Sequence, residues 1–156
     1  MSLKAKALTK LDEWLDFFPA IIMGLTLGQF FFFVLAPTAW KVILFILTPY
    51  LLPLICFRIS QHFAPIKEGG SYLGEGGYQP WNATFKMQQT FYAFPILERI
   101  LILLGLYSIW LRLWGSKIGK NILWTARTEI IDRAGVEVGD NCLFGHECVL
   151  VSHVVQ

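Results

Sequence analysis

An apolar residue recurs at every sixth position along the last forty or so residues of this chain. Three such residues follow one another, and after a slip of two positions three more follow: Ile118, Trp124, Ile130, Val138, Phe144 and Leu150. A period of six matches neither the 3.6-residue period of a helix nor the alternation of a simple strand. It is the period of a parallel β-helix, in which each unit supplies one short strand and one turn. Three units close one coil, so the repeat predicts about two coils.

The leading side chains of the six units are expected to stack as the core of this coil. Each strand would then pair with the strand of the next coil. Glycines after several leading residues, together with Asn121 and Asn141, suit turns that need a positive φ. The slip predicts a bulge at Val136 and Glu137, between a first coil over residues 118–135 and a second over 138–155.

Two stretches without charged side chains lie upstream of the repeat. Residues 17–40 would extend about 36 Å as a helix, which exceeds a hydrocarbon core of roughly 30 Å, and residues 42–57 about 24 Å. Trp14 and Trp40 stand where interfacial aromatic side chains are expected. We therefore predict a transmembrane helical hairpin over residues 1–63, with spans near 17–36 and 41–59 and a turn near 37–39.

A cleaved signal peptide is the alternative for the first stretch, but the stretch is too long and no small-residue cleavage pattern follows it. The net charge of +2 is too small to indicate nucleic acid. Lysines and arginines flank the hairpin, whereas only Lys41 lies in its connection. By the positive-inside rule, this predicts a multi-pass protein of the cell inner membrane with its N-terminus and coil facing the cytoplasm.

Residues 64–93 are predicted to be a linker, because residues 64–80 are polar and rich in glycine. Residues 94–115 are predicted to form an interfacial or capping helix. The uncharged run 100–111 spans only about 18 Å, which is too short to cross a membrane. Tyr107, Trp110, Leu111 and Trp114 share one helical face, suited to the membrane interface or to covering the end of the coil. A third span is the alternative, and it would place the coil across the membrane.

Three segments of the repeat combine the leading apolar residue with a following glycine. They are Ile118-Gly119-Lys120-Asn121, Val138-Gly139-Asp140-Asn141-Cys142 and Phe144-Gly145-His146-Glu147-Cys148. These segments resemble the hexapeptide-repeat acyltransferases. A membrane-attached branch is the most similar, since Trp110-Leu111-Arg112-Leu113-Trp114-Gly115 leads directly into the repeat. The resemblance covers about a quarter of the chain. It implies a mixed membrane protein in which the helical hairpin, linker and interfacial helix precede a short left-handed parallel β-helix over residues 116–156.

The resemblance also implies an activity: transfer of an acyl group, expected to be acetyl, from coenzyme A or an acyl carrier protein to a hydroxyl or amine. The acceptor would be a small molecule, a saccharide or a lipid-linked compound. Family members are usually homotrimers with active sites between adjacent coils, and a histidine acts as general base. Membrane lipids are the other expected partners, and neither a metal nor nucleic acid is expected.

His146 and His153 are the candidate catalytic residues, since both are expected at corners or on the outer surface of the coil. His146 is preferred, because Glu147 offers an orienting carboxylate and Gly145 a close backbone approach. No donor-binding residue is assigned, because coenzyme A sites of the family lie along later coils. Stacked repeats generally need at least three units. We therefore expect the chain to be a truncated product, the N-terminal part of a longer enzyme, or one completed by partner subunits.

Two other functions compete with acyl transfer. A catalytically silent membrane protein could use the short coil for assembly alone. A zinc hydratase similar to the γ-class carbonic anhydrases needs three ligands for each metal, whereas the coil offers two histidines. Cys142 and Cys148 occupy inward positions and are expected to pack as small apolar side chains.

Overall fold

A computed structural model describes residues 10–67 and 79–151 of the chain. By its internal contacts the chain divides into two compact units, Met1–Thr90 and Phe91–Gln156. The helices in the described part are α1 Lys10–Leu15, α2 Phe18–Leu35, α3 Ala39–Phe63, α4 Pro80–Gln88, α5 Thr90–Ala93, α6 Ile96–Leu103 and α7 Tyr107–Leu113. The strands are β1 Lys117–Ile118, β2 Leu123–Trp124, β3 Glu129–Ile130, β4 Glu137–Val138, β5 Leu143–Phe144 and β6 Val149–Leu150.

The first unit is built on the paired helices α2 and α3. The stretches Glu13–Leu35 and Ala39–Phe63 have the length and apolar composition needed to cross a membrane. In their most apolar windows only 11% and 28% of the residues are buried, which is low for core helices of a soluble protein. The predicted pair of apolar helices and its short connection are therefore confirmed.

Lys41 lies at the connection between α2 and α3, where backbone carbonyls stabilise its charge. Its Nζ donates to the carbonyl oxygens of Phe32 and Ala36, at 3.1 and 2.7 Å. Carbonyls at a helix C-terminus lack partners within the helix and carry a partial negative charge. Lys41 therefore caps α2 from the first turn of α3.

Helix α4 also belongs to the first unit, which differs from the linker predicted over residues 64–93. The helix begins at Pro80, whose fixed φ suits a first helical position, and it packs on α3. Gln61 Nε2 donates to Thr84 Oγ1 at 3.3 Å, and Lys86 pairs with Asp16 at 2.7 Å. The most glycine-rich part of the predicted linker, residues 68–78, lies outside the described residues.

The second unit contains three two-stranded parallel pairs: β1 with β4, β2 with β5, and β3 with β6. In every pair a residue faces the residue twenty positions later. The leading apolar residues of the repeat are buried or half-buried, whereas the residue before each of them is exposed. The predictions of one short strand per repeat unit and of inward leading side chains are confirmed.

Aromatic side chains close one side of this unit. The rings of Trp124 and Phe144 stack with centroids 4.4 Å apart, and Tyr107 meets the Trp124 ring edge-on at 5.4 Å.

Two short helices, α6 and α7, replace the single helix predicted over residues 94–115. The face carrying Tyr107, Trp110, Leu111 and Trp114 is at most 4% exposed, and α7 contacts β1. Within this unit that face is therefore buried, α7 packs on β1, and these side chains are not available to the membrane interface.

The turns between strands correct two predictions of detail. Asn121 and Asn141 have the expected positive φ, at 55° and 59°, but the other two such residues in these turns are Arg127 and Glu147, at 62° and 58°. The glycines following the leading residues do not have positive φ among the described turns. Glu137 is a strand residue opposite Lys117, so its assignment to the bulge is wrong, and the extra residues precede β4.

Candidate functional site

His146 lies in the turn between β5 and β6, and 62% of its side chain is exposed. Its Nε2 is 3.7 Å from Oε1 of Glu147, which is too long for a hydrogen bond. The same Glu147 oxygen accepts from Arg127 Nη1 at 2.6 Å. The predicted orienting carboxylate is thus beside the imidazole, and it is paired with a guanidinium of the β2–β3 turn.

This arrangement presents an accessible imidazole in a turn between two strands. Imidazole is the side chain whose charge ordinarily changes near neutral pH, so it can accept and return a proton. Arg127 and Glu147 are equivalent turn residues twenty positions apart, each in the left-handed region. His153, the other predicted base, lies outside the described residues. Of the two predicted bases, His146 is the one that lies among the described residues.

An open groove of about 450 Å³ runs along the β1–β4 face. Its polar lining is internally bonded: Lys117 Nζ pairs with Glu137 at 3.1 Å, and Asp140 Oδ1 accepts from the Lys120 amide at 2.6 Å. Gly119 allows the two turns to approach here, because a Cβ on it would lie 2.6 Å from the carbonyl carbon of Gly139. His146 does not line this groove, so groove and imidazole are separate features.

A buried charge cluster in the second unit was missed by sequence analysis. Arg133, whose side chain is 4% exposed, makes two hydrogen bonds to Glu98: Nε to Oε1, and Nη2 to Oε2 at 2.6 Å. Trp110 Nε1 donates to the same carboxylate at 2.9 Å, and the Arg133 guanidinium lies 4.8 Å from the Phe91 ring centroid. The only signal of this cluster in the sequence was the pair of charged residues at 98–99, which interrupts an apolar stretch.

The environment of this cluster perturbs its ionisable groups. Burial lowers the pKa of Arg133, but the hydrogen bond and the negative charge of Glu98 outweigh burial, so the pKa is raised overall. The pKa of Tyr107 is raised, first by burial and then by the charge of Glu98. Ser116 Oγ donates to the Arg133 carbonyl oxygen at 2.5 Å. The cluster therefore fixes α6 and the β3–β4 turn to the start of β1, which is a structural role.

Neither metal-binding side chains in the described part of the chain nor comparisons with known proteins indicate a further site. Among the residues that the structure describes, no group of three or more His, Cys, Asp or Glu side chains is placed to hold a metal ion. Cys142 and Cys148 are free and half-buried. No family model, curated protein or solved structure matches the chain.

Proposed function

We propose that this chain is a membrane-anchored acyltransferase of the hexapeptide-repeat type, in which the three strand pairs close into a left-handed β-helix. The common offset of twenty residues carries this proposal. Three six-residue units and the two-residue slip account for that offset, as stacked triangular coils require. Three unrelated parallel pairs would have no reason to share one offset.

In this mechanism His146 is the general base. Its imidazole accepts the proton of the acceptor hydroxyl or amine as that group attacks the thioester carbonyl of acyl-coenzyme A or an acyl carrier protein. The new C–O or C–N bond forms, the C–S bond breaks, and the imidazolium returns the proton to the departing thiolate. Backbone N–H groups of a turn would stabilise the oxyanion between these steps. The Arg127–Glu147 pair joins the histidine turn to the β2–β3 turn.

A homotrimer is part of the proposal. Leu123 and Leu143 are register partners on one strand pair, yet 57% and 67% of their surfaces are exposed. Aligned exposed leucines favour burial against another subunit. A trimer joined on this face would put clefts between neighbouring coils, with the His146 turn directly after β5. Light scattering of the purified chain should give three protomers per particle, and Leu143→Asp should dissociate them.

The activity is tested with the full chain in vesicles, using labelled acetyl-coenzyme A and a panel of hydroxyl and amine acceptors. Replacing His146 by Ala should lower turnover about 10²- to 10⁴-fold, the usual contribution of general acid–base catalysis. His62→Ala is the matched control, since this exposed histidine lies in the first unit and should leave turnover unchanged. Full turnover by H146A, with strand amides still protected from exchange, contradicts the assignment.

A catalytically silent assembly protein is the second candidate. The same exposed leucine pair favours it, because subunit association needs that surface and no chemistry. Absence of saturable binding of labelled coenzyme A by a chain that still forms trimers would select this function over acyl transfer.

We also propose the inner membrane and a cytoplasmic coil, on the basis of the cations that flank the helix pair. With Cys56, Cys142 and Cys148 replaced by alanine, a membrane-impermeant thiol reagent should label Val149→Cys only after the cytoplasmic side is opened. Labelling in intact cells contradicts this orientation.

A further inference from the structure

Helices α6 and α7 expose an aliphatic face on the second unit. Seven isoleucine and leucine side chains, each more than 40% exposed, form what is called here the aliphatic face. They are Ile96, Ile100, Leu103, Leu104, Leu106, Ile109 and Leu113. Soluble proteins seldom leave so many neighbouring aliphatic side chains in water. The surface therefore calls for an apolar partner.

The polarity of α6 is the reverse of that of a helix facing water. Its carboxylate, Glu98, points inward to Arg133 and Trp110, whereas its Leu103 is 82% exposed. A helix on a soluble protein turns its apolar side to the core and its charges to solvent. This inversion favours a surrounding medium that is less polar than water.

The connection between the two helices shows the same inversion. Solvent-facing turns are built mainly from polar residues and glycine. Here Leu104 and Leu106 are 63% and 41% exposed on either side of Gly105, which has a φ of 70°. An exposed leucine-rich turn is the shape that inserts among lipid chains, whereas a protein partner would need a pocket matched to it.

We propose that the aliphatic face docks into the interfacial region of a lipid bilayer, with both helices lying along the membrane surface. The eight residues of α6 extend only about 12 Å, far less than a span requires. The same chain carries two helices able to cross a membrane, which keep the second unit near lipid. Exposed Arg99 suits anionic headgroups, while the one acid of α6, Glu98, is neutralised by Arg133.

The test uses the full chain reconstituted in vesicles of phosphatidylethanolamine and phosphatidylglycerol. Cys56, Cys142 and Cys148 are replaced by alanine, and a nitroxide is attached at Leu104→Cys. Val149→Cys is the control, because this valine is 53% exposed, against 63% for Leu104, and lies on the β3–β6 pair, apart from the proposed subunit interface. Paramagnetic relaxation by oxygen and by a water-soluble nickel chelate then reports the surroundings of each label.

The Leu104→Cys label should show a severalfold higher ratio of oxygen to nickel accessibility than the Val149→Cys label. Ile109→Cys, on the other helix, should behave as Leu104→Cys does and serves if that variant does not fold. Equal nickel accessibility at the Leu104→Cys and Val149→Cys labels places the aliphatic face in water and overturns the proposal. Low accessibility to both reagents means that protein covers the face, and dipolar broadening would identify a second copy; either outcome also overturns it.

Discussion

The Glu98–Arg133 pair provides the most direct test of how the second unit is held together. Glu98→Gln keeps the side-chain shape and one oxygen acceptor but removes the charge that balances the guanidinium. The side chains of Arg133 and Glu98 are 4% and 13% exposed, so little water is available to replace it. Breaking a buried pair from one side destabilises by about 3–5 kcal/mol. Because the amide oxygen can still accept a hydrogen bond, we expect the lower end of that range.

Amide hydrogen exchange of the full chain in detergent measures this effect where it occurs. The amides of Glu129 and Ile131 donate to the carbonyls of Cys148 and Leu150, at 2.9 and 3.0 Å, and should be protected. A loss of about 3 kcal/mol would lower their protection roughly 150-fold. Arg133→Met combined with Glu98→Leu should restore much of it, since the pair is then replaced by apolar side chains of similar size.

Glu137→Gln is the matched control for this experiment. Glu137 also pairs with a cation, Lys117, but 72% of its side chain is exposed. An exposed pair of this kind contributes about 0–1 kcal/mol, so protection should fall no more than about fivefold. If Glu98→Gln and Glu137→Gln reduce protection equally, the buried pair does not hold the unit together and the reasoning fails.

Two further predictions concern packing and pH. Gly119→Ala should destabilise the second unit by about 1–3 kcal/mol, because the new Cβ would overlap the backbone of Gly139. Gly139→Ala is the control: its new Cβ meets no atom within 4 Å, so this variant should be neutral or slightly stabilising. Equal unfolding midpoints for the two variants would contradict the prediction. Burial raises the pKa of Tyr107 above its ordinary value of 10, so above pH 10 the unfolded chain loses the tyrosine proton before the folded chain does. The contribution of Tyr107 to stability is therefore complete below pH 10 and is lost as the pH rises. Unfolding measured from pH 9 to 11 should show a decline of about 1.4 kcal/mol per pH unit above pH 10 that is absent from Tyr107→Phe, and parallel declines would refute it.

The strands were predictable because burial acts on one residue in six. A strand of two residues contributes one inward side chain, so Ile118, Trp124 and Ile130 must be apolar whatever the turns between them contain. Turn geometry was less predictable. Arg127 and Glu147 have positive φ without being glycine or asparagine, and their mutual ion pair at 2.6 Å accompanies that conformation.

Helix α4 and the buried pair lay beyond what one sequence could show. The buried side of α4 includes Asn82, Thr84 and Gln88, so no apolar stripe marks it, and packing on α3 stabilises it. Glu98 and Arg133 are 35 residues apart, and charged side chains are ordinarily taken as solvent-facing. For the candidate site, sequence analysis identified His146 and its neighbour Glu147 but not Arg127, which depends on the twenty-residue register.

The shared register also determines where this part of the chain can change in length. An extra residue between β1 and β2 would alter the spacing of the β1–β4 pair alone, and the three pairs would no longer match. The segment between β3 and β4 lies inside all three spacings, so an insertion there lengthens them together. Within that segment Arg133 is anchored to Glu98, whereas Gly135 is exposed. Evolutionary insertions and engineered tags should therefore be tolerated at Gly135 and excluded from the other turns between strands.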